Sequence, residues 1–576
     1  MSHFALVWQR DGRPVNLRMR LPSAAALLPS TPERNTIWCS RSLVAMHAIS
    51  ATTTPCTPWM RHEAADCRVL FFNGRLDYRD ELRQQLRIES KSTPELVLAA
   101  YDKWGNGAFA KLYGSFAIVL FDKRQQTLLC VRDAMGMHSL YYYIDRHQVM
   151  IATEPALLQK NLRIARDLDH QAITQFLMGR GLDSAETPFQ RISQLPAAHT
   201  LTINREQAHL QRYWNLRIED RSRLLSPSDY AEQLRIHLTR SVQQCVADTP
   251  TVGVKMSGGL DSTAVAATAA STGCNLVSFS YVFEQFPQSN EQPFIEATNR
   301  FCKLSHRFVY CDALYPWYQL EQWPLDPNHP FSDPYERMSQ AIYRAAREQG
   351  IQVMLNGYYG DNLYSRAVDW IWELLREGRM REVSAEIRQQ LGSHQGWRHP
   401  FLRAALRQLW QHRFGRFSGS PSAVALSAQM LGHAQIGLSK STIAARVGIE
   451  LRYPYRDRKL IEFMATVPAY ALYSDLWQKV MMRQATCGLL PDSVRWRQQA
   501  TTLMPLFVHG ARREIDHIHY LLTKRTALWP HLLGSRTIPT DKQLLFGRLQ
   551  TAPDHEKSLI WRCAMLELWR ERFNYT

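Results

Sequence analysis

Ser257-Gly258-Gly259-Leu260-Asp261-Ser262 lies between a short β-rich run, Thr251-Val-Gly-Val-Lys-Met256, and a helix-prone run, Thr263-Ala-Val-Ala-Ala-Thr-Ala-Ala270, that ends near Gly273. The local reading is strand, glycine loop, helix. Two adjacent glycines let the backbone curl tightly, so that several N–H groups converge. The helix start that follows adds four donors without intrahelical partners and a positive dipole end. Together they make a seat for phosphate. Asp261 inside such a seat implies a shared cation, and Mg²⁺ is the usual one with nucleotides. The loop lacks the Gly-Lys-Ser/Thr ending of a Walker A loop, which argues against γ-phosphoryl transfer.

At 576 residues the chain has room for roughly two to four domains, each able to bury a core. A hydrophobic content of 45% with 21% charged residues is globular rather than disordered. No apolar run approaches a membrane span; Phe116-Ala-Ile-Val-Leu-Phe121 is typical and strand-sized. The N-terminus reaches Trp8-Gln-Arg-Asp-Gly12 too soon to hold a signal-peptide core. The 10 cysteines are scattered without a C-x-x-C pair, so neither a zinc site nor a disulfide framework is indicated. A soluble, cytoplasmic protein is expected, with no membrane partner. The formal charge of +17, with Arg-rich stretches at Arg366–Arg416 and Arg495–Arg513, would serve nucleic acid, ATP or an acidic peptide alike. No helix-turn-helix, zinc-finger or RNP-type signature favours nucleic acid, and a solvated basic face is the plainest meaning.

The hexapeptide resembles the pyrophosphate-binding loop of the ATP pyrophosphatases. That resemblance implies cleavage of ATP between its α and β phosphates: an acid is adenylated, pyrophosphate leaves, and the loop from Ser257 to Ser262 grips the phosphates. The surrounding chain fits such a fold. From about Ser226 onward helices alternate with short apolar strands: a helix over Tyr230–Ala247, a strand over Leu276–Val282, a helix over Glu291–Cys302, and a strand over His306–Tyr310. A helix over Pro334–Gln349 and a fourth strand, Ile351–Leu355, follow. This pattern predicts a parallel, doubly wound sheet with ligands at the carboxyl ends of its strands. In the superfamily the second strand forms the adenine-binding edge, which implies nucleotide contacts at Ser280. The fourth strand runs directly into Asn356-Gly357-Tyr358-Tyr359-Gly360-Asp361. Gly357 and Gly360 free the backbone to approach the ligand, and Asp361 is placed to share Mg²⁺ with Asp261.

Residues 1–215 are rich in short β-type runs with helical stretches at Tyr78–Leu86 and Pro94–Lys103, which fits two stacked sheets covered by helices. Phe72-Asn-Gly-Arg-Leu-Asp-Tyr78, Gly114-Ser-Phe-Ala-Ile-Val-Leu-Phe-Asp122, Val131-Arg-Asp-Ala-Met-Gly136 and Arg212-Tyr-Trp214 resemble the N-terminal glutaminase domain of asparagine synthetase. The resemblance implies an Ntn-hydrolase-like αββα sandwich over 1–215 and an asparagine synthetase-like ATP pyrophosphatase domain, with helical additions, over 226–576. It also implies a cysteine directly after the initiator Met, whose thiolate attacks glutamine. Here that position is Ser2, followed by His3. A hydroxyl has no accessible ionised form near neutral pH, whereas a thiol does. The expectation is a retired glutaminase kept as a structural platform, and therefore an amine supplied by the substrate itself or as free ammonia.

β-Lactam synthetase, carbapenam synthetase and the lasso peptide cyclases resemble asparagine synthetase in layout and use an amine already within the substrate. Tyr358 is similar to the β-lactam and carbapenam enzymes, where asparagine synthetases carry Glu. By the same resemblance, Glu450 in Gly448-Ile-Glu-Leu-Arg-Tyr-Pro-Tyr-Arg-Asp457 would orient Tyr358, with a bare pairing of Glu450 to Arg452 as the alternative. A peptide α-amine with a pKa of about 7.7–8.0 needs little help to lose its proton. Gly488-Leu-Leu-Pro-Asp-Ser-Val-Arg-Trp-Arg497 resembles a family phrase that a Lys follows; this chain has none before Pro505, and Arg497 is the favoured substitute over Arg495 and Lys479. Losing an oxyanion donor costs on the order of 10²–10³ in rate. The final stretch Ser558–Trp569 repeats apolar residues at helical spacing and reads as core. Arg366–Gln411 reads as an inserted helical region that shapes a tunnel or docks a partner. The function expected is that of a lasso peptide cyclase with ATP and Mg²⁺ as cofactors. A precursor peptide is its substrate, and a leader-peptide-binding protein and a transglutaminase-like protease its partners. An asparagine synthase or β-lactam synthetase-type ligase and a non-catalytic scaffold are the alternatives.

Overall fold

The computed structural model describes residues 2–15, 32–50, 60–63, 67–159, 164, 166–179, 185–216, 225–364, 380–381, 426, 430, 434–468, 471–474, 477–498, 501–534 and 537–575. The region 366–411 therefore lies almost wholly outside the described residues, as does most of the Arg-rich stretch to 416.

The N-terminal region stacks two six-stranded sheets. The first runs 193–194, 141–144, 148–152, Ser2–Gln9, Leu43–Ser50, Pro32–Cys39 in spatial order; the second runs 208–212, 199–203, 127–132, Tyr113–Asp122, Arg68–Asp77, Met60–Glu63. Strand alternation sorts the side chains between layers. Phe4, Leu6 and Trp8 enter the seam between the sheets with Val69, Phe71, Val119 and Phe121, while Ala5 and Val7 face outward. Helices Arg79–Leu86 and Thr93–Trp104 cover the second sheet through Leu82, Leu96 and Ala100. The outer face of the first sheet is covered by helix His170–Leu177 and by the last helix of the chain, Asp554–Phe573. Trp561, Met565 and Trp569 of that helix share one apolar cluster with Ala5, Val7 and Met150. The αββα sandwich is thus completed by residues from the far end of the sequence.

The second region opens on a capping box at Ser226, which starts helix Pro227–Val246, and builds a five-stranded parallel sheet. Its strands stand in the order Ser305–Tyr310, Asn275–Val282, Thr251–Lys255, Val353–Asn356, Glu450–Arg452. Right-handed crossovers put helices Leu260–Ser271 and Gln292–Cys302 on one face and Glu336–Glu348 on the other. The fifth strand was not foreseen; three residues between Gly448 and Pro454 are too short to show a period of two. The order reverses between Thr251–Lys255 and Val353–Asn356. Both strands end at that switch point, and their following loops meet there. No helix among the described residues is long and apolar enough to cross a membrane.

Trp561 stands in the core that both regions share: its indole N–H donates to the Ser332 carbonyl at 2.8 Å, and its ring packs edge-on against Trp317 and Trp323. Trp561→Ala should cost about 3–5 kcal/mol. Because both regions share that core, chemical denaturation should still give one transition, shifted to lower denaturant whether followed from the sandwich or the parallel sheet.

Candidate active site

The loop at the switch point is shaped by close approach. A Cβ at Gly357 would stand 2.7 Å from Ser262 Cα, and one at Gly360 would stand 2.4 Å from Asp261 Cγ. Only glycine lets the turn after Val353–Asn356 lie directly on the loop after Thr251–Lys255. Tyr455, fully buried, donates its hydroxyl to the Asp261 carbonyl at 3.0 Å and fixes the helix start from below. Tyr359 takes a left-handed φ of 79° in this turn, with the Arg456 guanidinium over its ring.

The loop donors are held by the chain's own side chains. Ser257 N–H donates to Ser262 Oγ at 3.0 Å, and Gly259 N–H donates to Ser257 Oγ at 3.2 Å. Gly258 N–H donates to Glu291 Oε2 at 3.1 Å. Arg497 Nη1 donates to the other Glu291 oxygen at 2.7 Å and to the Gly258 carbonyl at 2.9 Å. Glu291 is thus a carboxylate seated on a loop N–H and on an arginine, the two donors that an anion takes at a helix start. Arg497 braces the loop from the side of helix Gln292–Cys302.

Asp261 and Asp361 converge on one cation of the protein itself. Lys479 Nζ stands 2.8 Å from both Asp261 oxygens and 2.5 Å from Asp361 Oδ1. Burial pushes the Asp261 carboxyl above its ordinary range and Asp361 adds to the push, with Lys479 opposing. Burial works against the Lys479 ammonium, but the two carboxylates hold its pKa above the usual lysine value. Two oxygen-donor side chains sharing one positive charge, with Asp361 largely open to solvent, suit a hard divalent ion. Leu260 packs half-buried beside the sheet core. Ser280 lies on the neighbouring strand, buried, with its hydroxyl lacking a hydrogen-bond partner among the described residues.

Tyr358 and Glu450 are not brought together. Glu450 pairs in register with Val353, and roughly 10 Å of strand separates that level from Asn356, beyond which Tyr358 turns off. Arg452 takes the Glu450 carboxylate, Nε to Oε1 at 2.8 Å and Nη2 to Oε2 at 3.4 Å. Glu450 lines a cavity of about 180 Å³ between the two regions, together with Asn73, His138, Glu154 and Arg452. Tyr358 lies instead against Tyr359 and Lys440. Glu291, Lys440 and its partner Asp333 went unnoticed in the sequence. Each is an ordinary charged residue in an unremarkable stretch, and only the crossovers place it at the loops.

A glycine loop at the switch point of a parallel sheet, attached to an Ntn-type sandwich, defines a two-part synthetase whose catalytic half is of the ATP pyrophosphatase kind. The asparagine synthase family model matches residues 233–571, and the glutamine amidotransferase domain model matches residues 22–214. The chain belongs to the asparagine synthase family, whose members are ATP-dependent amide-forming ligases. It is 22% identical over 580 residues to asparagine synthetase [glutamine-hydrolyzing] 3 of Bacillus subtilis, covering 88% of each chain. Asparagine synthetase [glutamine-hydrolyzing] 2 of the same organism is 24% identical over 493 residues, covering 79% of this chain and 64% of the other. Amidase chyE of Penicillium rubens is 25% identical over 393 residues, covering 64% and 55%.

Gly360→Ala should press a methyl group into the Asp261 carboxylate and lower ATP affinity by about tenfold or more, one factor of ten being about 1.4 kcal/mol. Isothermal titration checks it, with the melting temperature close to wild type. Glu450→Gln should destabilise the fold by roughly 1–3 kcal/mol, because buried Arg452 loses its better partner. Chemical denaturation reads that loss.

Proposed function

We propose that this ligase is a macrolactam-forming cyclase of the lasso peptide type: it adenylates a side-chain carboxylate of a peptide, and that peptide's own N-terminal amine captures the acyl group. The carrying observation is that the strand Ser2–Gln9 contains no cysteine while the nucleotide loop is complete. His3, next to Ser2, is held on Glu154 at 2.8 Å, and Glu154 in turn accepts from Asn328 of the synthetase region at 3.2 Å. The pairing suits a fixed strut between the regions rather than a working amidase. Without that cysteine the amine comes with the substrate or as free ammonia, and the resemblance at Tyr358 favours the substrate's own.

In the first step a carboxylate oxygen attacks the α phosphorus and the bond to the β-phosphate oxygen breaks. The loop N–H groups and Arg497 then receive the charge of the departing pyrophosphate, which requires Glu291 to yield its place. Asp261 and Asp361 would hold Mg²⁺, which when bound neutralises phosphate charge. In the second step the amine nitrogen attacks the acyl carbon, AMP leaves with the former carboxylate oxygen, and the amine proton passes to solvent by way of Tyr358. The peptide loses one water overall. A precursor peptide, a leader-peptide-binding protein and a transglutaminase-like protease are the partners this reading entails.

The second reading is asparagine formation from aspartate with ammonia or glutamine, favoured by the names of the Bacillus relatives. A linear peptide starting with Gly and carrying Asp or Glu a few residues on, incubated with ATP, should lose the mass of one water while AMP and pyrophosphate accumulate. Asparagine appearing from aspartate and ammonium, with no peptide cyclised, reverses the order of the two readings. Asp261→Asn should abolish ATP/pyrophosphate exchange under either one.

A further inference from the structure

Tyr358 stands at the outlet of the strand Val353–Asn356, half-buried, and something must hold its ring. Its backbone N–H donates to Asn356 Oδ1 at 2.9 Å, and its ring meets Tyr359 edge-on at 4.6 Å between centroids. Its hydroxyl makes no hydrogen bond among the described residues. Lys440 also lies against it, its ammonium 5.3 Å from the centre of the Tyr358 ring. Lys440 comes from helix Ala434–Arg446, is itself only 7% exposed, and donates to Asp333 Oδ2. Asp333 is fixed in its own right, since Tyr335 N–H donates to its other oxygen at 2.9 Å where helix Glu336–Glu348 begins.

We propose that Lys440, anchored by Asp333, is the positioning residue for Tyr358, taking the place that the sequence pattern gave to Glu450. A cation against an aromatic face is attracted by the ring quadrupole, the more so when desolvated. The contact orients the ring while leaving the hydroxyl free to meet an incoming amine. The same positive charge favours the phenolate form of Tyr358, so the pair sets both where the ring sits and how readily it parts with a proton. Burial pushes the Tyr358 phenol up to about 12, Lys440 and Arg456 pull it down, and Tyr359 and Asp333 push it up. Behind Lys440 lie Asp333, Glu336 and Tyr343, and Lys255 joins them from the central strand with its Nζ 2.7 Å from Ser339 Oγ. Both Glu336 oxygens are buried without a hydrogen-bond partner among the described residues; burial pushes that carboxyl up to about 7, with Lys440, Lys255 and Arg446 pulling it down.

The catalytic part of this inference rests on the reading of Tyr358 as the group facing the amine, and the test separates the two. A fluorinated tyrosine whose phenol ionises near neutral pH is placed at position 358 and titrated by fluorine NMR, with no substrate present. Lys440→Met should raise its ionisation pH by roughly one to two units, as loss of a unit charge at this range implies. Lys440→Arg should restore it. Lys440→Met combined with Asp333→Asn removes both charges and guards against misfolding; because Asp333 opposes Lys440 at the ring, the phenol should rise by less than in Lys440→Met alone. An unmoved titration in folded Lys440→Met overturns the pairing. With the natural tyrosine, Lys440→Met should keep ATP/pyrophosphate exchange while amide formation falls about 10–100-fold, at or below the low end of the roughly 10²–10⁴-fold that a proton-transfer group itself contributes, as suits a residue acting through another. Equal loss of both activities overturns the positioning role. Absence of any amide product from the wild-type protein would instead strike at the reading of Tyr358, leaving the titration result standing.

Discussion

Everything at the nucleotide end of this protein depends on two loops touching without side chains between them. Gly357 lies against Ser262 and Gly360 against Asp261 at distances that a single methyl group would violate. That contact brings Asp261 and Asp361, a hundred residues apart in the chain, onto one cation. It also fixes the direction in which Tyr358 leaves the sheet. Strand order supplies the opportunity, because the reversal between Thr251–Lys255 and Val353–Asn356 leaves a crevice at their carboxyl ends. The glycines supply the fit.

The loop and its setting were legible in the sequence because strand, glycine pair and helix are local patterns. Asp361 was legible for the same reason, as the end of a strand that had to be parallel to the first. The sandwich could be read from its short β-type runs and the helices between them, but not which side of a strand meets the other sheet, as Phe4, Leu6 and Trp8 do in a run that is apolar throughout. What failed was anything set by register between distant strands. Glu450 looked like a partner for Tyr358 because a motif carried it there, yet pairing with Val353 holds it back along the sheet and Arg452 claims it. Lys440 and Glu291 carried no local signal, since each acts only through a neighbour that the crossovers deliver.

The two regions are less separate than the change of pattern near residue 215 suggests. The last helix of the chain forms an outer layer of the N-terminal sandwich, and the Trp317, Trp323 and Trp561 rings interlock within that same cluster. The sandwich could therefore not be shed without stripping the synthetase of part of its core. This gives a physical reason for a domain without a cysteine on its leading strand to persist: the apolar area it covers is shared.

The self-filled loop has a consequence for selectivity. Glu291 sits on the Gly258 N–H as an anion, and Lys479 sits between the two aspartates as a cation. An incoming ligand therefore trades like for like instead of falling into a bare field. Free phosphate could displace the glutamate but would leave the lysine in place, and a lone metal ion the reverse. A ligand bringing both signs at the right spacing would settle the exchange at both ends, where either ion alone would settle only one.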